Sequence, residues 1–190
     1  IAAALKVPGV ELVIVGDGEE RRALEAALEA ALEAAGRPAR IRLAGEVDDA
    51  TLCRLMASCD LFCLPSRERT EAFGVVLLEA MRYAKPLLVS DLAGSGCTWV
   101  AQDGRNAVLA KVEDVDDWAA KLAALAADPG RRRALGEAGA ERFRREFSIA
   151  GVAAGMTQVY WHAMRATGAE ESEAPAAPPE GAVPGDGRLL

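Results

Sequence analysis

Aromatic side chains are scarce in this chain, 5% of 190 residues, so any core must be built from aliphatic and alanine side chains. There is one histidine, His162, and the four cysteines at 53, 59, 63 and 97 form no Cys-x-x-Cys pair. That pattern leaves no His/Cys zinc module, and four unpaired thiols suit a reducing, cytoplasmic location. No apolar run approaches the roughly 18 residues that cross a bilayer. No charged start leads into an apolar stretch, as a signal peptide would. Initiator methionine is also absent, so the sequence is expected to be a piece of a longer protein. Positive charge is in deficit, with 22 basic against 29 acidic residues and a net charge of -7. This excludes a broad nucleic-acid footprint or a polybasic membrane surface, and any anionic ligand must be held locally. Glu170, Glu171, Glu173, Glu180 and Asp186 against Arg188 concentrate much of the excess acidity at the C-terminus.

With 51% hydrophobic and 27% charged residues, the composition is that of a protein with a real core. Short apolar runs alternate with helical patterns, the signature of a parallel sheet covered by helices. Strands are predicted at Leu12–Val15, Ile41–Ala44, Leu61–Leu64, Leu87–Ser90 and Ala107–Leu109. Helices are predicted at Glu19–Ala35, Asp49–Ser58 and Val75–Tyr83. In the first, Leu24, Leu28 and Leu32 make one stripe and Glu25, Glu29 and Glu33 another, and Gly36 and Pro38 stop it. Beyond the last strand only helices follow, at Asp116–Ala127, Arg131–Phe147 and Ser148–Ala166. The first two are separated by Asp128-Pro129-Gly130, and Ser148 is a plausible N-cap for the third. Residues 169–190 are rich in Pro, Ala, Glu and Gly without periodicity and are expected to be a disordered tail. One domain, residues 1–168, is left.

Two features carry chemistry. Val13-Ile14-Val15-Gly16-Asp17-Gly18 before a helix is a strand–Gly-x-Gly–helix turn, where Gly16 lets backbone amides approach a phosphate. Arg21 stands where a dinucleotide fingerprint wants a third small residue, which argues against a nicotinamide cofactor; a plain tight turn is the alternative. The second feature is Thr70–Met81, TEAFGVVLLEAM. Glu71 and Glu79 lie seven residues apart, one before a turn and one inside an otherwise apolar run. Phe73 and Gly74 sit just before the predicted helix, whose free N–H groups and positive dipole end make an anion site. Glu71 can accept hydrogen bonds from sugar hydroxyls, and Glu79 a pair from a ribose diol. Equally, Glu71 can cap the helix and Glu79 can pair with Arg82 or Lys85.

Taken in order, GDG at 16–18, LAGEV at 43–47, SCDLFCLPS at 58–66, RTEAFGVVLLEAM at 69–81, KPLLVSD at 85–91 and DGRNAVLA at 103–110 closely resemble the C-terminal domain of family 4 glycosyltransferases. The likeness spans nearly all of residues 5–160, and the E-x7-E element is that family's signature. It implies the GT-B architecture: two Rossmann-like domains across a cleft, with a nucleoside-diphosphate-sugar donor held mainly by the C-terminal one. Sugar would pass to an unknown acceptor with retention of configuration, without a metal or other cofactor. By resemblance Glu71 contacts the donor sugar and is the catalytic candidate. Amides at Phe73, Gly74 and Val75 meet the diphosphate, Glu79 binds the ribose, and Val47 and Ser66 border the base and donor pocket.

Departures matter too. Ala84 stands where members usually carry glycine. The family's diphosphate-clamping Arg and Lys come from a first strand–loop that would precede Ile1, as would the acceptor domain, through which alone peripheral membrane contact is expected. That first strand normally lies mid-sheet, so the chain is expected to lack a central strand and to be inactive in isolation. Two rivals are a GT-B nucleotide-sugar epimerase and a non-catalytic or truncated domain that binds nucleotide or a partner. Asp114-Val115-Asp116 matches a metal-binding Asp-x-Asp pattern but reads as helix capping, and His162 as packing or solvent-facing. Gly94-Ser95-Gly96 reads equally as a pocket lining and as a plain loop.

Overall fold

The computed structural model describes residues 1–35, 40–69 and 73–166, and the chain divides into two compact units, Ile1–Gly151 and Val152–Leu190. In the first unit the alternation of apolar runs and helical stripes becomes α1 (Ala2–Lys6), β1 (Glu11–Val15), α2 (Arg21–Ala35), β2 (Arg40–Gly45), α3 (Asp49–Ser58), β3 (Phe62–Leu64), α4 (Val75–Arg82), β4 (Leu87–Asp91), α5 (Cys97–Val100) and β5 (Ala107–Lys111). After these come α6 (Val115–Ala127), α7 (Pro129–Arg142) and a π-helical turn, Phe143–Phe147. A last helix, α8 (Ile149–Ala166), supplies the described part of the second unit. The expected tail at 169–190 and the helix stop at Gly36 and Pro38 lie outside the described residues.

Every strand pairing is parallel, as expected for an α/β fold with helices between strands. Strand β4 is central to its sheet. Leu87 and Val89 face a cluster with Met56, Leu77, Met81 and Val100, while Leu88 joins Val108, Leu125 and Leu135 on the opposite face. Burial on both faces explains why β4 reads as a continuous apolar run and not as an alternation. Aspartates start three of the helices: Asp48 accepts from Thr51 N–H, Asp114 from Asp117 and Asp128 from Arg131. Helix α7 begins at Pro129, two residues earlier than predicted, because proline at the first helical position lacks only a donor that would be orphaned anyway. The helix predicted through Phe147 changes to a π turn after Arg142, closed by Ser148 N–H donating to the Phe143 carbonyl at 2.9 Å. Short α5 carries no periodic signal and was not predicted.

Between its two halves the sheet is broken. Strand β1 is hydrogen-bonded to β2, and β3 to β4, but the described strands include none that bridges β1 and β3. Strands β1 and β3 therefore each show a ladder edge without a partner among the described strands, as the loss of a strand between them would leave. Unpaired edges are templates for association. The polypeptide 1–190 on its own is accordingly expected to unfold at low denaturant or to associate with rising concentration. Light scattering alongside urea denaturation checks this, and a cooperative, concentration-independent transition at high denaturant would contradict it.

Candidate functional site

Parallel strands bring their C-terminal ends to one edge, which places ligand loops together. At that edge Gly16 follows β1, Val47 follows β2, Ser66 follows β3, and Gly94–Gly96 follow β4. Val47 and Ser66 are half-buried.

Gly16 lies in a cleft of about 250 Å³ lined also by Val15, Gly18, Arg21, Leu43 and Gly45. Its N–H is already donated to the Gly45 carbonyl at 2.8 Å, so Gly16 shapes the cleft wall and offers no free amide to a phosphate. Arg21 pairs with Asp17 at 3.0 Å and Glu25 at 2.9 Å, and its Nη1 lies 2.8 Å from where a Cβ on Gly45 would stand. The residue that spoils a dinucleotide fingerprint thus pins the Gly-x-Gly turn to the end of β2.

Helix α4 starts differently from α3, α6 and α7. Its N-cap is Gly74, with φ +71°, and it has no side chain to accept from the first-turn amides. Glycine is required twice over. The left-handed conformation disfavours a Cβ, and a Cβ would lie 2.9 Å from Leu77 Cδ1 and 3.0 Å from Cys97 Sγ. Phe73 and Val75 flank it, both exposed, with Val75 63% exposed. The amides singled out in the sequence therefore stand at an open helix start, with the dipole's positive end toward the strand C-termini. Glu71, with Thr70 and Ala72, lies outside the described residues.

Glu79 is half-buried on α4. Neither ion pair open to it in sequence forms: Lys85 Nζ donates instead to the Ala57 carbonyl at 2.8 Å, and no Glu79–Arg82 bridge occurs. Its carboxylate helps to hold the Tyr83 hydroxyl above its ordinary value, behind the larger effect of the Cys53 contact. Glu79 is thus a half-buried carboxylate with no hydrogen-bond or ionic partner among the described residues, left able to accept hydrogen bonds from a ligand.

The remaining candidates resolve as structural. Asp114 caps α6, Asp116 pairs with Lys6, and Asp117 pairs with Lys121, so each carboxylate of the Asp-x-Asp stretch has a structural partner. Burial pushes the thiol of Cys59 up, and that of Cys63 up to about 12, so neither supplies a thiolate nucleophile at neutral pH. His162 is exposed on α8. Ser95 is buried, its Oγ accepting from Cys97 N–H, and the Arg69 guanidinium lies against Gly94. Sequence reasoning missed an aromatic group beside the α4 start. Phe73, Trp99 and Phe147 contact one another with centroids 5.4–6.3 Å apart, and Arg142 stacks on the last two. These residues are distant in the chain, and no local spacing announces them.

Parallel strands with helices between them, and loops gathered at the strand C-termini, define a Rossmann-like α/β fold. The sequence profile of the family described as glycosyl transferases group 1 matches residues 1–142, and the chain belongs to that family. It is 35% identical over 156 residues to a phosphatidyl-myo-inositol mannosyltransferase of Mycolicibacterium smegmatis, covering 82% of this chain and 37% of the relative. It is 31% identical over 148 residues to the lipopolysaccharide core biosynthesis glycosyltransferase LpsE of Rhizobium meliloti, covering 78% and 41%. The chain thus spans about two-fifths of the length of these relatives. Among solved structures it is similar to a sucrose-phosphate synthase of Thermosynechococcus elongatus, with TM-score 0.69 and 26% identity over 87% of this chain and 41% of that one. Anabaena HepE in complex with UDP and glucose shares the fold, with TM-score 0.70 and 21% identity over 84% and 43%. No helix among the described residues is long and apolar enough to cross a membrane.

Proposed function

We propose that this chain is the donor-binding half of a retaining glycosyltransferase that moves a hexose from a nucleoside diphosphate to an acceptor bound by another domain of the same protein. The observation that carries the reading is the pairing of an open α4 start at Gly74 with Glu79 on the same helix, which has no partner among the described residues. A nucleoside diphosphate has the matching pair of groups, an anion and a vicinal diol. The UDP and glucose found with HepE support the ligand class. In this reading the amides of Phe73, Gly74 and Val75 receive the diphosphate, Glu79 accepts hydrogen bonds from the ribose, and Val47 and Ser66 border the base and sugar.

Charge develops on the diphosphate as the glycosidic bond to it breaks. The α4 dipole stabilises that charge where it grows, and Glu71 orients the sugar. No metal or other cofactor enters the scheme, and the Asp-x-Asp stretch is occupied in capping and ion pairs. The four free thiols support a cytoplasmic location. Without its acceptor domain, residues 1–190 would bind donor without transferring sugar.

The test separates the two glutamates in the intact protein. Glu79→Ala is expected to weaken the free nucleoside diphosphate by about 1.5–3 kcal/mol, the worth of a charged hydrogen bond, with ground and transition states affected alike. Glu71→Ala is expected to depress turnover while leaving diphosphate affinity nearly intact, because its partner is the sugar. Calorimetric titration of the diphosphate and steady-state transfer measure both. Wild-type affinity and rate in both variants would make the pair structural and remove the residue-level support for the reading.

A further inference from the structure

Trp99 lies on α5, just past the C-terminal end of β4, and is 55% exposed. Single exposed apolar side chains are ordinary, but this one is held in place. Its ring meets Phe147 edge-on at 5.4 Å and Phe73 at 5.9 Å. The buried Arg142 guanidinium sits 5.3 Å from its centroid while Nη1 donates to the Trp99 carbonyl at 2.9 Å. An indole so fixed and still half in water presents a rigid aromatic face at little cost in conformational entropy on binding.

Position identifies what that face meets. Phe73, itself 36% exposed, precedes the Gly74 N-cap, so the ring beside Trp99 and an amide assigned to the diphosphate belong to one residue. Cys97 Sγ packs against Gly74, which brings the start of α5 up to the start of α4. A sugar joined to a diphosphate held there is one ester bond beyond the phosphorus, in the neighbourhood of Phe73. Val75 beside them is 63% exposed, so the apolar surface at the α4 start is small and lies around the amides assigned to the diphosphate. A stable protein partner would need about 800 Å² on each side.

We propose that Trp99, with Phe73 beside it, is the stacking surface for the hexose of the nucleotide-sugar donor, and so a residue that determines which sugar is accepted. The C–H face of the pyranose lies on the indole while its hydroxyls point away. This inference rests on the donor-binding reading above.

The experiment is calorimetry on the intact protein with UDP, UDP-glucose, GDP and GDP-mannose, using the pair that wild type binds. The readout is the ratio of diphosphate to diphosphate-sugar dissociation constants. Trp99→Leu keeps apolar bulk against Phe147 and Arg142 but removes the aromatic face. It is expected to weaken the diphosphate-sugar roughly 5- to 10-fold while leaving the diphosphate within about twofold. Trp99→Phe should restore most of the loss, and thermal melts of all three proteins check that each is folded. Equal weakening of both ligands would make Trp99 a support of the phosphate site and overturn the proposal. Unchanged affinity for both would overturn it too, leaving the rings to an acceptor or a protein contact. If wild type binds neither diphosphate, the donor-binding reading itself fails, and this inference with it.

Discussion

Gly136→Ala is expected to destabilise the domain by roughly 3 kcal/mol or more, at or above the upper end of overpacking costs. A Cβ at position 136 would stand 2.0 Å from the Ala84 carbonyl oxygen and 2.8 Å from its carbon. Both are backbone atoms, so no rotamer relieves the overlap. Helix α7 would have to withdraw from the end of α4, loosening the contacts that Leu135 and Met81 make in the two core clusters. Against a total stability of roughly 5–15 kcal/mol such a loss lowers the yield of folded protein. Denaturant midpoints at unchanged slope measure it. The other side of the contact gives the opposite sign. Ala84 has φ +52° and sits where α4 ends, with Lys85 N–H donating to the Ala80 carbonyl and Ala84 N–H to that of Met81. These two bonds form the helix-ending motif that prefers glycine at this position. Ala84→Gly should therefore raise stability by about 1 kcal/mol.

Arg142→Leu is expected to cost about 2–4 kcal/mol, the range for removing one partner of a buried charged network. The guanidinium donates to the carbonyls of Trp99 at 2.9 Å and Val100 at 2.6 Å and to Glu146 at 2.8 Å. Leucine leaves the first two acceptors without this donor and cuts the tie between α7 and α5. A pH signature accompanies the loss. Hydrogen bonds from Arg145 first, and then Arg142, hold the Glu146 carboxyl below its ordinary value. A depressed carboxylate contributes stability that is present above its unfolded-state value and disappears as pH falls through the folded one. The wild-type protein should thus lose part of its stability on acidification through the lower carboxylate range. The variant, keeping only the Arg145 contact, should lose less. Urea denaturation at pH 7 and at mildly acidic pH compares the two, and equal acid sensitivity would show that Arg142 contributes nothing to the Glu146 shift.

Local chemistry was legible in the order of residues. Apolar runs of four or five residues between helical stripes determined a parallel α/β fold, because strands buried on both faces leave that pattern. The Asp-x-Asp stretch at 114–116 announced the start of α6. Glu79 stood out because a carboxylate in an apolar run is costly without a partner, and Glu71 and Gly74 because they lie just before the same helix, where free amides make an anion site. What the tertiary structure alone decided is which of these groups are already engaged. Glu79 lacks the ion pair its neighbours in sequence could have supplied, because Lys85 turns to the Ala57 carbonyl. Gly16 has spent its amide on Gly45, and Arg21 is pinned between two acids. The aromatic face at Trp99 exists only through residues on α5, α7 and the π turn. Sequence spacing reports which neighbours a residue has along one helix or strand. Whether a charge is paired, an amide free or a ring exposed depends on contacts between elements, and only the folded chain supplies those.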